Sequence, residues 1–401
     1  MIWLALLEAP AGAESPTLPP ATMGSVFYAY RDSPQRRRAL AAPVGTPERY
    51  LLFGLDQLVE RGWRVRHDLE REGRPPRWAR AGGMALKSAL ERAGGYGGDF
   101  ATVLASLREA NRASVVLSTV DTVGIPLMLL KRAVGSVRPP LVYVAIGLPE
   151  RLDRLRSERM RRLYARALAS SAAVLAYSEH EAAELRAYLA SYGESARVEF
   201  VPFGVDVRAF APSLTQPSAD VVMAGADPHR DVELFLSVAA AMPSKSFRLV
   251  TTADRGRTLG ALPPNVDVET DIPFDAMRRR LEEARAVALP VLENSYSGAT
   301  TVLLQAMALA KPVVVTRTRA IADGYGLSDG DNCRLVQPGD AEGFQRAVAG
   351  VLRDEWHARS LGARARTTVE ADLTWDRYVD RLEAALRAAC AEPHNGRSRR
   401  G

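Results

Sequence analysis

From residue 25 onward the chain alternates short, almost continuous apolar runs with longer stretches in which apolar positions recur every three or four residues. The apolar runs predict strands at 25–30, 63–67, 114–119, 140–146, 173–178 and 197–201, and the periodic stretches predict helices near 48–61, 98–111, 122–134, 150–169 and 179–190. Strands that lack polar alternation are buried on both faces, so the pattern predicts α/β architecture with a doubly wound parallel sheet. Between 202 and 218, Pro202, Gly204, Pro212 and Pro217 let neither a helix nor a central strand run through, and the segment reads as hinge and linker. A second set follows, with strands at 219–225, 247–252, 266–269, 286–290, 313–316 and 333–336 and helices near 230–242, 274–285, 300–310 and 340–353. The expected organisation is an N-terminal unit of residues 23–203, a C-terminal unit of 204–375, and a terminal helix at 376–390 on which Tyr378, Leu382, Ala385 and Leu386 share one apolar face.

Two strand-to-helix turns in the second unit carry candidate chemistry. Beyond the strand 286–290 a polar loop holds Glu293, Ser297 and Gly298, and the helix that follows ends at Lys311-Pro312 before the strand Val313–Thr316. Open parallel sheets bind ligands beyond the carboxyl ends of their strands, and a helix start offers N–H groups and partial positive charge to a phosphate or a sugar hydroxyl. Gly298, Ala299 and Thr300 are placed to present backbone N–H groups, while Thr300 or Thr301 equally reads as a helix cap. The second turn runs from Gly225 through His229 and Arg230 to Asp231; Arg230 suits a phosphate through its planar fork, or is an exposed arginine beside a cap made by Asp227 or Asp231. In the first unit, Arg31, Arg36, Arg37 and Arg38 leave the end of the first strand, which suits an anionic acceptor, a donor phosphate or a membrane surface, against the plainer reading of a solvated loop and irregular chain behind Pro34. Ser178 and Glu181 are spaced as a capping box, which accounts for both. Gly147 and Glu150 follow the strand 140–146, Glu150 reading as a first-turn helix acid.

Composition narrows the classes. A chain of 401 residues, 47% hydrophobic, has material for two cores. Its formal charge of +6 comes from 53 basic against 47 acidic residues spread along the whole length, which is no nucleic-acid footprint. The arginine-rich helix at 150–169 is interrupted by Asp153 and Glu158 and reads as solvated, so a membrane surface is the less favoured partner and a soluble acceptor the expected one. Cys333 and Cys390 form no disulfide framework or metal spacing and fit a reducing, cytoplasmic setting. Asp329-Gly330-Asp331 lies in a turn-rich loop rather than at a strand end, and no metal is expected. Residues 69–97 read as an irregular connection around an amphipathic piece, residues 1–22 as either an extension or a misassigned start ahead of Met23, and 391–401 as a disordered tail.

The stretch 297–315 resembles the donor-site signature of retaining GT-B glycosyltransferases of family 4, which runs E-G-F-G, four residues, E-A-M-A, then a small residue, any residue and P-V-V. Ser297-Gly298-Ala299-Thr300 stands at the first block and Gln305-Ala306-Met307-Ala308 at the second, so both glutamates of the family's E-x7-E pair are replaced. Asn332 to Asp340 resembles the family's N-G-x-L-V-x-P-G-D, Val198 to Asp206 its V-x-x-I-P-N-G-V-D, and Asp372 to Tyr378 the F-S-W that precedes a helix crossing back to the first domain. The resemblance is specific over about 195–380 and rests on pattern alone before that. It implies two Rossmann-like domains facing across a cleft, with the acceptor in the first and a nucleotide sugar in the second. It implies transfer from a nucleoside-diphosphate sugar to a hydroxyl, with retention, no metal and no cofactor beyond that co-substrate. Residue by residue, Gln305 takes the ribose position, Ser297 that of the glutamate facing the donor sugar with Glu293 as a substitute reaching in, and Arg230 that of the lysine on the diphosphate, with Gly225 opening the turn and His229 beside it. Gly147 stands where the family often presents a histidine to the donor sugar. Arg230 and Ser297 carry the electrostatic roles, no nucleophile is named, and Arg31, Arg36, Gly147 and Glu150 are the acceptor-side candidates. Loss of both glutamates leaves as alternatives a non-catalytic, nucleotide-sugar-binding or partner-activating relative, or an epimerase on the same fold.

Overall fold

The computed structural model describes residues 23–296 and 298–391. The expectations for residues 1–22, for Ser297 and for the tail from 392 lie outside the described residues. Among the described residues, twelve strands form two parallel sheets. In the first, β1 (Ser25–Ala29), β2 (Arg64–His67), β3 (Val115–Ser118), β4 (Leu141–Ala145), β5 (Ala173–Ala176) and β6 (Val198–Phe200) lie in the order β2-β1-β3-β4-β5-β6. In the second, β7 (Ala219–Ala224), β8 (Phe247–Thr251), β9 (Val266–Thr270), β10 (Ala284–Leu289), β11 (Val313–Thr316) and β12 (Arg334–Val336) lie in the order β12-β11-β10-β7-β8-β9. Each of these runs lies within two residues of an expected strand. The central strands are apolar but for Ser118 and Thr316 at their ends because helices cover both faces: β3, β4, β5 and β11 are buried throughout. Both sheets reverse direction beside their first strand, between β1 and β3 and between β7 and β10, which opens a crevice at the strand ends.

Helices differ more from expectation. The stretch 48–61 is a 3-10 turn, Pro47–Leu52, and a short helix, Leu55–Glu60, parted by Phe53 and Gly54 in the left-handed region at φ 53° and 77°. The stretch 150–169 breaks into Leu148–Asp153 and Glu158–Leu168, the second restarted by Ser157 accepting from Met160 N. Behind Pro34 the chain is not irregular but forms a helix, Pro34–Ala41, capped by Ser33. Within 69–97 the amphipathic piece is a full helix, Arg77–Arg92. No described helix is long and apolar enough to cross a membrane.

The chain leaves β6 through Phe203 and Gly204 and returns at Leu373–Trp375. These crossings pair: Val205 N donates to Leu373 O at 3.0 Å, and Trp375 N to Val205 O at 2.8 Å. The last helix, Trp375–Ala391, then lies on the first sheet's half, where Glu383 accepts from Trp63 Nε1 at 3.0 Å and from Arg61 at 2.8 Å. Phe203 sits 5.0 Å from Tyr378 and 5.3 Å from Tyr177, ring centroid to centroid, so one apolar core continues across both halves.

Candidate active site in the cleft between the sheets

The two segments marked by the sequence leave β7 and β10, the strands at the second sheet's switch point. After β7 the chain turns through Gly225, at φ 138°, where a Cβ would lie 2.7 Å from Arg230 Nε; glycine leaves the room that this guanidinium occupies. Arg230 is therefore not the exposed arginine of the plainer reading. It is 3% exposed, its Nε donates to Ala224 O at 3.2 Å, and its Nη1 has no partner among the described residues. Burial lowers its pKa to about 10, with Asp227 opposing the shift, so it stays cationic at neutral pH. Arg255 holds the turn by donating to Pro228 O at 2.9 Å and Arg230 O at 3.0 Å, and Asp231 caps the next helix, Val232–Ala240.

The loop after β10 is fixed from both sides. Leu292 N donates to His229 O at 2.8 Å and Asp231 N to Pro290 O at 3.0 Å. Tyr296 donates its hydroxyl to Asp227 Oδ2 at 2.7 Å, lies 3.1 Å from His229 Nδ1, and sets its ring against Gly147, where a Cβ would be 3.0 Å from the ring. From the first half, Glu150 accepts from Ser295 N at 3.0 Å and Ser295 Oγ at 3.2 Å, while Ser178 Oγ donates to Ser295 O at 3.0 Å. Glu150 is thus a clasp between the halves rather than an open acceptor contact. Glu293 does not reach inward either: its carboxylate accepts from Arg319 N at 3.0 Å at the start of another helix, Arg319–Ala322.

Helix Thr300–Ala308 starts with Ala299 at its N-cap, so the capping alternative for Thr300 and Thr301 is not the arrangement present. The hydroxyl of Thr300, a residue 2% exposed, has no partner among the described residues, and neither has Oε1 of Gln305, also 2% exposed. Gly298 spends its N–H on Tyr296 O at 2.9 Å instead of presenting it. Gly298, Thr300 and Thr301 form one wall of a cavity of ≈ 240 Å³, closed by Asp227 and Tyr296 from the same half and by Arg36, Tyr50, Phe53, Ile146, Tyr177 and Glu181 from the other.

On that other wall the capping box is half made. Ser178 accepts from Glu181 N at 2.9 Å, but the Glu181 carboxyl turns away: Oε1 accepts from Gly147 N at 2.8 Å and Leu148 N at 3.1 Å, and Oε2 is buried without a partner among the described residues. Burial, with the charge of Asp121 second, lifts its pKa to about 8. Arg36 lies over the rings of Tyr30 and Phe53, 5.7 Å from each centroid, with Nε unpartnered. It also lines an adjoining pocket of ≈ 390 Å³ with Arg31 and Arg151. Arg151 donates to Asp121 Oδ2 at 2.9 Å, whereas Arg37 is spent on Asp32 at 2.8 Å. Among the described residues, no three His, Cys, Asp or Glu side chains are grouped to hold a metal; Asp329 and Asp331 pair with Arg334 and Arg364. Tyr296, Asp227, Glu181 and Arg151 enter the site without having been assigned to it by the sequence.

Residues 205–354 match the family described as glycosyl transferases group 1. The N-acetyl-alpha-D-glucosaminyl L-malate synthase of Bacillus anthracis is 26% identical over 167 residues, 41% of this chain and 43% of that protein. The chain spans about half the length, or less, of the curated relatives it matches. Sucrose-phosphate synthase from Thermosynechococcus elongatus superposes with a TM-score of 0.68 at 16% identity, covering 90% of this chain and 98% of that one. The fold is GT-B. Anabaena HepE, solved in complex with UDP-glucose, shares it with a TM-score of 0.64 at 13% identity over 90% of this chain and 99% of its own. In this GT-B frame the helix start at Thr300 and the Arg230 turn belong to the C-terminal wall of the cleft, and Arg36, Gly147 and Glu181 to the N-terminal wall.

Proposed function

We propose that the chain is a nucleotide-sugar-dependent glycosyltransferase of hexosyl type, holding its donor at the Arg230 turn and the Thr300 helix start and its acceptor in the arginine pocket of the first half. One observation carries this reading. Among the described residues, Arg230 Nη1, Thr300 Oγ1 and Gln305 Oε1 are buried and unpartnered on the two segments that leave the switch point. Each such group costs about 1–3 kcal/mol of desolvation left uncompensated, a cost that a polar ligand offsets. Gln305 accepts a ribose hydroxyl, while Arg230 and the positive end of the helix meet the diphosphate. In the transfer, the bond between the anomeric carbon and the diphosphate oxygen breaks, a bond to the acceptor oxygen forms, and the acceptor's proton leaves with the diphosphate. Charge grows on the departing diphosphate, where these fixed donors stabilise it. Retention of configuration and independence of metal belong to the proposal through the resemblance described above.

The acceptor is an anionic hydroxy compound, because Arg31, Arg36 and Arg151 line its pocket and Asp121 is the one acid among the described residues that line it with them. A relative named for L-malate accords with that chemistry. The test is release of nucleoside diphosphate from UDP-, ADP- or GDP-linked hexoses in the presence of small hydroxy acids and sugar phosphates, with and without EDTA. The expected result is acceptor-dependent, EDTA-resistant release that falls at least 10-fold in Arg36→Ala. Donor binding without turnover on any acceptor of this panel would overturn the enzyme reading.

A further inference from the structure

Glu181 is fully buried, at 0% exposure, yet it lines the cleft cavity, and its Oε2 has no partner among the described residues. Its other oxygen takes two backbone N–H groups, of Gly147 and Leu148, which fix the carboxyl's direction. The ring of Tyr296 covers Gly147 from the second half, so Glu181 sits where the donor-side loop meets the first sheet. Asp121 and Glu150 oppose a negative charge here; Asp121 is itself held by Arg151 and Glu150 by Ser295, and the cavity is also lined by Arg36 on the same wall and by Asp227 on the facing one. Burial pushes its pKa up to about 8, which favours the protonated carboxyl at neutral pH. A protonated carboxyl offers one O–H donor and a remaining acceptor lone pair, which suits an uncharged hydroxyl; the same cavity already presents a helix start for anionic groups. Glu181 lines this shared cavity and not the arginine pocket assigned to the acceptor.

We infer that Glu181 binds a hydroxyl of the sugar carried by the nucleotide donor and thereby takes part in selecting that sugar. The inference rests on the donor site proposed above. It is tested by calorimetric titration of UDP, ADP and GDP, and of their hexose conjugates, into the wild-type chain, Glu181→Gln and Glu181→Ala at pH 6.5 and pH 9. The bare diphosphate of the accepted base binds all three proteins alike. The hexose conjugate binds the wild type more tightly than the bare diphosphate; Glu181→Ala loses that gain by about 10-fold, and Glu181→Gln keeps most of it because its amide both donates and accepts. In the wild type the gain falls as pH rises through about 8, and in Glu181→Gln it does not. A gain that is absent in the wild type, or unchanged in Glu181→Ala, overturns the inference while leaving the donor site standing. Failure of every diphosphate to bind the wild type overturns the donor site itself. Alanine also strips two backbone N–H groups of their acceptor, so where Glu181→Ala does not fold, the pH profile of Glu181→Gln decides: a profile like the wild type's sinks the role.

Discussion

Thr300 keeps a hydroxyl in a place that is 2% exposed and offers it no partner. A buried hydroxyl without a hydrogen bond is a net cost to the folded chain, so Thr300→Val, close in shape, is expected to leave stability unchanged or raise it by about 1 kcal/mol. The same change should weaken nucleoside diphosphate binding by about 5- to 10-fold, the worth of one hydrogen bond at roughly 1–1.4 kcal/mol. Urea unfolding and calorimetry read the two effects separately; lower stability with unchanged binding would make Thr300 a structural residue. That Arg230 and Thr300 stand at the switch point was legible in the sequence because it depends only on where a strand ends and a helix begins, whereas Gln305 was named through the resemblance. Side-chain direction is a different matter. Glu181 has the spacing of a capping box and Glu150 that of a first-turn acid, and nothing in the local sequence says that one turns to Gly147 and the other to Ser295 across the cleft. Glu293, which reads as a loop acid free to reach the donor, goes to Arg319 for the same reason: its partner is distant in sequence.

At the scale of elements, the twelve strands were readable because each is short, apolar and bounded by turn residues, whereas helix limits depended on tertiary packing. The helix Arg77–Arg92 buries only Ala79 and Gly83, too weak a stripe to outweigh the glycines and prolines on either side. Helix Glu355–Asp372 was not foreseen at all; its buried positions, Ala358, Leu361, Gly362, Ala365 and Val369, are mostly small, so the apolar period is faint. The linker shows the reverse case, in which a sequence signal has a definite packing reason. Gly204 lies against the returning chain, and a Cβ there would fall 2.4 Å from Thr374 O. Gly204→Ala is therefore expected to cost about 1–3 kcal/mol by forcing the two crossings apart. Chemical denaturation measures this directly, and a loss below about 0.5 kcal/mol would show that the crossings yield freely.

The whole molecule is two parallel sheets held together by those paired crossings, by the aromatic cluster around Phe203 and by the terminal helix anchored through Glu383. The cavity between them takes its walls from both halves, and its bridging contacts run from Glu150 and Ser178 to Ser295. A ligand bound there touches both sheets and stabilises the native chain by RT ln(1 + [L]/Kd). The central claim, a nucleotide-sugar site on the C-terminal wall of this cleft, is tested most directly by the thermal shift of the purified chain against nucleoside diphosphates and nucleotide sugars, repeated with Arg230→Ala and Gln305→Ala. One base series is expected to raise the melting temperature of the wild type, and both variants, folded, are expected to lose the shift. A chain that no nucleotide stabilises, or a shift that survives both substitutions, would contradict that claim.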